Sequence, residues 1–232
     1  MVSPLNRLGA VVFLAAMNAR PAGAGICVAV DLRFAGREPS PQLVHALRSE
    51  TTSIWNRYGV RLRWPERAGE DSCDEVQASF DILVDDRTPP GIGARRAAVA
   101  SRGVLLHAVL ASTRMAAGAI DHHAVFLDRG ATERLLQSVP ADQLIRQTGE
   151  PTIAPADVGR ALGRTLAHEL GHVLLDAPNH QRSGLMRATF RAADLVGLGS
   201  RPYRLSAAEV ERLRRREQEL TRRMPCEVRR PD

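Results

Sequence analysis

The 232-residue chain has no lysine: all 32 of its basic residues are arginine, set against 26 acids for a net charge of +6. A base count made of one residue type is a compositional bias. It is not a recognition device, and it points to no anionic partner. Aromatic residues make up only 4% of the chain, too few for a nucleic-acid stacking platform. Three cysteines cannot staple a small scaffold and are too scattered for a thiolate zinc knuckle. Long hydrophobic runs are also missing. The apolar run at 8–17 is about half of the ~20 residues a bilayer span needs, which excludes stable membrane insertion. What is present, 44% apolar and 25% charged residues, is the profile of a soluble globular domain. It is large enough to bury its own core without a disulfide framework.

The N-terminus reads as an address. Arg7 precedes the apolar run and Ala22-Gly23-Ala24 follows it, the order of a cleavable secretory signal peptide over 1–24. Its removal takes Arg7 and Arg20 away and no acid, leaving a small positive balance. The mature part, 25–232, then forms one domain. Export places the protein outside the cytoplasm, secreted or periplasmic, where two of Cys27, Cys73 and Cys226 can pair.

Along the mature chain, 26–34 carries β-formers and reads as a strand ended by Pro39 and Pro41. Residues 42–58 space Leu43, Val44, Leu47, Ile54 and Trp55 as one helix face. Strict alternation marks 60–64 as a half-buried strand. A polar loop through Cys73 leads to a strand at 80–84, and 104–110 and 123–127 are two more strand candidates. Residues 131–139 read as helical. Pro155 suits the first turn of a longer helix over 156–175, with Leu162, Leu166 and Leu170 in its core stripe and Pro178 as its stop. Near the end, Ser206 and Glu209 form a capping box, and the charges of the helix it opens make a solvated face.

The chemistry lies at 168–172, His-Glu-Leu-Gly-His. Residues four apart share a helix face, so His168 and His172 can hold one metal ion with two imidazoles. Glu169 sits about 100° around the helix, next to that ion without ligating it. Neutral nitrogen ligands on zinc lower the pKa of a bound water toward ~7, and a nearby carboxylate can accept its proton. A five-residue pattern alone also fits two solvent-facing histidines on a helix. The apolar run before it and a third histidine after it favour the metal. His180 is the first choice for the third ligand. Asp176, one turn beyond His172, and the distant Glu209 and Glu211 are the alternatives. His122 and His123 read as ordinary strand-end residues.

Ser183-Gly184-Leu185-Met186 follows His180, and with it the sequence resembles the metzincin metallopeptidases. The shared features are a zinc helix ending soon after its second histidine, a third histidine past a turn, and a methionine in a later turn. The resemblance implies an α+β zincin-like fold: a twisted mixed β-sheet, a long helix in the N-terminal half, an active-site zinc helix and a C-terminal helix. An upper part, about 25–175, would precede a lower part, 176–232. It also implies one catalytic Zn2+ on His168, His172 and His180, Glu169 as general base, and Met186 beneath the metal.

Two departures stand out. The family's glycine and third ligand fall at Leu175 and Pro178, so the turn must be made by a residue that tolerates left-handed backbone, Asp176 or Asn179. The family's tyrosine after the methionine falls on Ala188, which leaves Tyr203 as the candidate to bond an oxyanion. The expected function is a secreted zinc metallopeptidase acting on a peptide or protein substrate. An edge strand, 104–110 or 123–127, would pair with extended substrate. A catalytically inactive zinc-binding module with the same fold is the alternative, and a basic nucleic-acid binder has no groove-reading motif behind it. Nothing in the pattern specifies an oligomeric state, and Cys27 near the mature terminus is a candidate cap for the metal.

Overall fold

A computed structural model describes residues 25–65, 76–86, 111–115, 122–199 and 201–223. The segment 1–24, the loop through Cys73, the strand candidate 104–110 and Cys226 lie outside them. Among the described residues, five strands form one mixed sheet in the order β2-β1-β3-β5-β4. These are β1 (Cys27–Phe34), β2 (Arg61–Arg63), β3 (Ala78–Asp85), β4 (Ala111–Met115) and β5 (His122–Asp128). β1 runs parallel to both β2 and β3, β3 runs parallel to β5, and β4 closes the edge antiparallel to β5. A parallel neighbour needs a crossover, and helix α1 (Pro41–Asn56) makes the one from β1 to β2. Ser40 caps α1, its hydroxyl accepting from the Leu43 amide, and Pro41 fills the first turn.

The expected fold, α+β with a mixed sheet, a long early helix, a histidine-bearing helix and a C-terminal helix, is the one observed. Its centre is α4 (Pro155–Leu174), which is buried along almost its whole length and lies against α1. Glycines set that contact. A Cβ at Gly159 or Gly163 would run into the main-chain oxygens of Leu43 and Leu47, so the two helices approach backbone to backbone. Polar groups lock the register: Thr51 Oγ1 donates to the Gly163 carbonyl (3.0 Å), and Trp55 Nε1 donates to that of Ala167 (3.2 Å).

Helix α2 (Arg129–Gln137) occupies the segment expected to be helical. Two short helices, α3 (Ala141–Thr148) and α5 (Ala192–Val196), had no sequence signal. The last helix, α6 (Ala207–Arg223), opens on the expected capping box. Glu209 Oε2 accepts from the Ser206 amide at 2.6 Å and the Glu209 amide donates to Ser206 Oγ at 3.3 Å. No helix among the described residues is long and apolar enough to cross a membrane.

Two expectations need correction. β5 cannot be a substrate-pairing edge, because it is hydrogen-bonded on both sides, by β3 and β4. Among the described residues, the edge next to α4 is β4 instead. Cys27 cannot cap a metal: it is disulfide-bonded and fully buried in β1.

Candidate metal centre

Helix α4 brings His168 and His172 onto one face, one turn apart, and its own termination then orients the second of them. The helix stops before Pro178. The amide of Asp176 bonds the Val173 carbonyl and that of Ala177 reaches back to His172 (3.0 Å), while Asp176 adopts φ +45°. This crossed pair of bonds with one left-handed residue is a Schellman ending, built on aspartate where glycine would be usual. The reversal aims the Ala177 carbonyl at the ring just passed, and His172 Nδ1 donates to it at 2.7 Å.

His168 is oriented in the same way by a different segment. In the turn 181–187, the Gln181 amide donates to the Met186 carbonyl (2.7 Å) and Gly184 takes φ +83°. The Leu185 amide is anchored on the Arg204 carbonyl, and the Leu185 carbonyl accepts from His168 Nδ1 at 2.7 Å. The same turn drives Met186, fully buried, under α4. A Cβ on residue 171 would run into its sulfur, so glycine between the two histidines lets the methionine pack against the helix backbone.

These bonds decide the chemistry of the imidazoles. A carbonyl oxygen only accepts, so each Nδ1 carries the proton and each Nε2 is left with a lone pair. The two Nε2 atoms face each other 3.1 Å apart. Two lone pairs at that distance repel unless a cation sits between them. A tetrahedral zinc with bonds of ~2.0–2.1 Å sets its nitrogens about 3.3–3.4 Å apart, close to the observed gap. His180 completes the set. Its ring stacks on His168 (5.2 Å, 9°) and stands edge-on to His172 (4.9 Å), and one ligand atom from each of the three residues lies within 4.8 Å of the others.

Protonation favours the same state. Burial pushes His168 down to about 4, against the opposing pull of its bond to Leu185, and His172, His180 and Arg187 add to the fall. His180 is also lowered, by burial first and then by His172. Neutral rings are the metal-binding form. The group runs from buried His168 through half-buried His172 to exposed His180, so one side opens to solvent. Closed shells are typical of structural zinc; an open position is typical of catalytic zinc.

The other candidates fall elsewhere. Glu169 follows His168 in α4 and is buried. Asp176 is taken up in the turn. Glu209 is buried in its capping box and exposed Glu211 pairs with Arg214. Neither Asp176 nor either glutamate joins the three-histidine group. Tyr203 does not face an open site: it is fully buried, its hydroxyl donates to the Asp194 carbonyl at 2.8 Å, and burial raises its pKa to about 12. Sequence reading passed over Arg164, one turn before His168 and 1% exposed, which bonds Glu50 (2.8 Å) and the carbonyls of Asp194 and Leu195. Arg164 lies on the helix face away from the leucine stripe, where an arginine reads as solvent-facing, so the sequence carried no signal of its burial. The two orienting carbonyls had none, because main-chain acceptors leave no mark on residue identity.

The sequence matches no family profile and no curated protein. Among solved structures, the chain is similar to archaemetzincin from Methanopyrus kandleri, over 86% of this chain and 99% of that one, with 16% identity and a TM-score of 0.44. A likeness of that degree identifies neither a family nor an activity.

Proposed function

We propose that this chain is a zinc-dependent metallopeptidase, exported from the cytoplasm, with His168, His172 and His180 as the metal ligands. The observation that carries the proposal is the pair of facing Nε2 lone pairs, each fixed by a carbonyl behind the ring, with a third imidazole beside them. Zinc held there supplies Lewis-acid polarisation of a carbonyl and lowers the pKa of water toward ~7.

The chain's own residues do the rest. The Ala177 and Leu185 carbonyls keep the Nδ1 protons in place, so both rings turn Nε2 toward the metal. The Glu169 carboxylate takes the proton of the attacking water and returns it to the leaving amine. Met186 supports the floor of the site. Strand β4, the edge among the described residues, would pair with an extended peptide through its main chain. A disulfide at Cys27 supports an oxidising compartment, as do the signal-like residues 1–24.

The test compares the wild type, Glu169→Gln and His180→Ala for zinc content and hydrolysis of a peptide library. About one zinc per chain in the first two, sharply less in the third, and hydrolysis by the wild type alone is the expected pattern. Zinc retained without hydrolysis by any of them would make the chain a zinc-binding module. Equal hydrolysis by wild type and Glu169→Gln would remove Glu169 from the mechanism.

A further inference from the structure

One hydrogen bond to Leu185 fixes where the His168 ring points but leaves its plane free to rock about that bond. Three ring contacts bear on the plane. Two are His172 (4.7 Å, 90°) and His180, both ligands of the same centre. The third is Phe190, whose ring stands at 89° to His168 with centroids 5.5 Å apart, the edge-to-face arrangement that aromatic rings favour.

Phe190 is not free to yield. It stacks on Tyr203 at 5.5 Å and 18°, and Arg187 lies over its ring at 4.5 Å while pairing with Asp194 at 2.9 Å. Behind Tyr203 stands the Arg164 guanidinium, 4.6 Å from the ring. That group is fixed by Glu50 and by the Asp194 and Leu195 carbonyls. Arg164 belongs to α4, one turn from His168. The contacts therefore close a ring: from α4 out through Arg164, Tyr203 and Phe190, and back onto His168 of the same helix.

We propose that Phe190 is a positioning residue for the metal centre, holding the plane of His168 through a bracket of Tyr203 and Arg164 that is anchored on the helix carrying the ligand. The proposal rests on the zinc reading above and adds a residue to it that touches neither metal nor substrate. Groups that orient a ligand from behind typically contribute 10- to 100-fold in metal affinity. A core aromatic without this role would lower stability on removal and leave the affinity of the folded protein alone.

The experiment measures zinc affinity by chelator competition, and the cobalt(II) absorption spectrum, in wild type, Phe190→Leu, Phe190→Tyr and Tyr203→Phe. Leu136→Ala, fully buried in α2 and outside the ring contacts around His168, serves as a control for destabilisation. Phe190→Leu is expected to bind zinc about 10- to 100-fold more weakly and to broaden or shift the cobalt bands. Phe190→Tyr should restore most of the loss, and Tyr203→Phe, which keeps the stacked ring, should stay within about threefold of wild type. Leu136→Ala should lose stability with unchanged affinity. If Phe190→Leu binds zinc as wild type does while losing stability like Leu136→Ala, the bracket is ordinary packing and the proposal falls. A wild type that binds no zinc would instead overturn the functional reading itself.

Discussion

At the scale of single residues, burial disfavours the charged form of His168 and, less strongly at the solvent edge, that of His180. His168 titrates near 4 in the fold, against about 6.5 for an unperturbed histidine. As pH falls below about 6.5, the unfolded chain takes up a proton that the buried ring refuses, so acid favours unfolding. The contribution is fully present above that pH and is lost progressively down to about 4. Metal-free protein should therefore show a denaturant midpoint that is flat above neutrality and declines across that window. His168→Gln should flatten the decline. Midpoints measured at a series of pH values for the two proteins check it, and identical slopes would assign the acid sensitivity to other groups.

At the scale of elements, the end of α4 makes a stop signal and a ligand-orienting acceptor from the same three residues. Asp176 sits at φ +45°, where a side chain costs about 1–2 kcal/mol relative to right-handed backbone. Glycine removes that cost at the expense of unfolded-state entropy of roughly 0.5–1 kcal/mol. Asp176→Gly is expected to raise stability by up to about 1 kcal/mol and to leave zinc affinity unchanged, measured by denaturant unfolding and chelator competition. A loss of zinc in this variant would mean that the carboxylate contributes to the centre.

The element scale also shows what could be read from sequence. Alternation revealed β2, helical spacing revealed α1 and α4, and a four-residue motif announced the cap of α6, because each is a local pattern. The need for aspartate or asparagine in the turn followed from the absence of glycine at 175. His180 could be named because a metal demands a third donor. Helix α3 went unseen because it begins on Pro140 with no side-chain cap and ends on Gly149, signals that also mark a loop. The edge position of β4 is a property of strand order, which no local window contains. Arg164 and Phe190 gain their meaning only from partners elsewhere in the chain, Glu50 and Asp194 for the first and Tyr203 for the second.

At the scale of the molecule, a covalent constraint adds to the noncovalent ones. The disulfide at Cys27 ties the start of β1, far along the chain from the histidines, and typically such a bond contributes about 2–4 kcal/mol. Reduction is expected to lower the unfolding free energy by an amount in that range, and so to lower the midpoint, while folded, reduced protein keeps its metal. Thermal unfolding and zinc content with and without a thiol reductant check this, and release of zinc on reduction below the unfolding temperature would couple the two.

Both carbonyls that hold the histidine protons, those of Ala177 and Leu185, belong to the main chain. Any amino acid at either position carries the same oxygen. Point substitution therefore cannot delete these acceptors; only a change in the path of the chain can. Over evolutionary time the centre should tolerate exchange of residues at 177 and 185 and resist the gain or loss of a single residue between 173 and 187. Its spacing, more than its spelling, is what a descendant has to inherit.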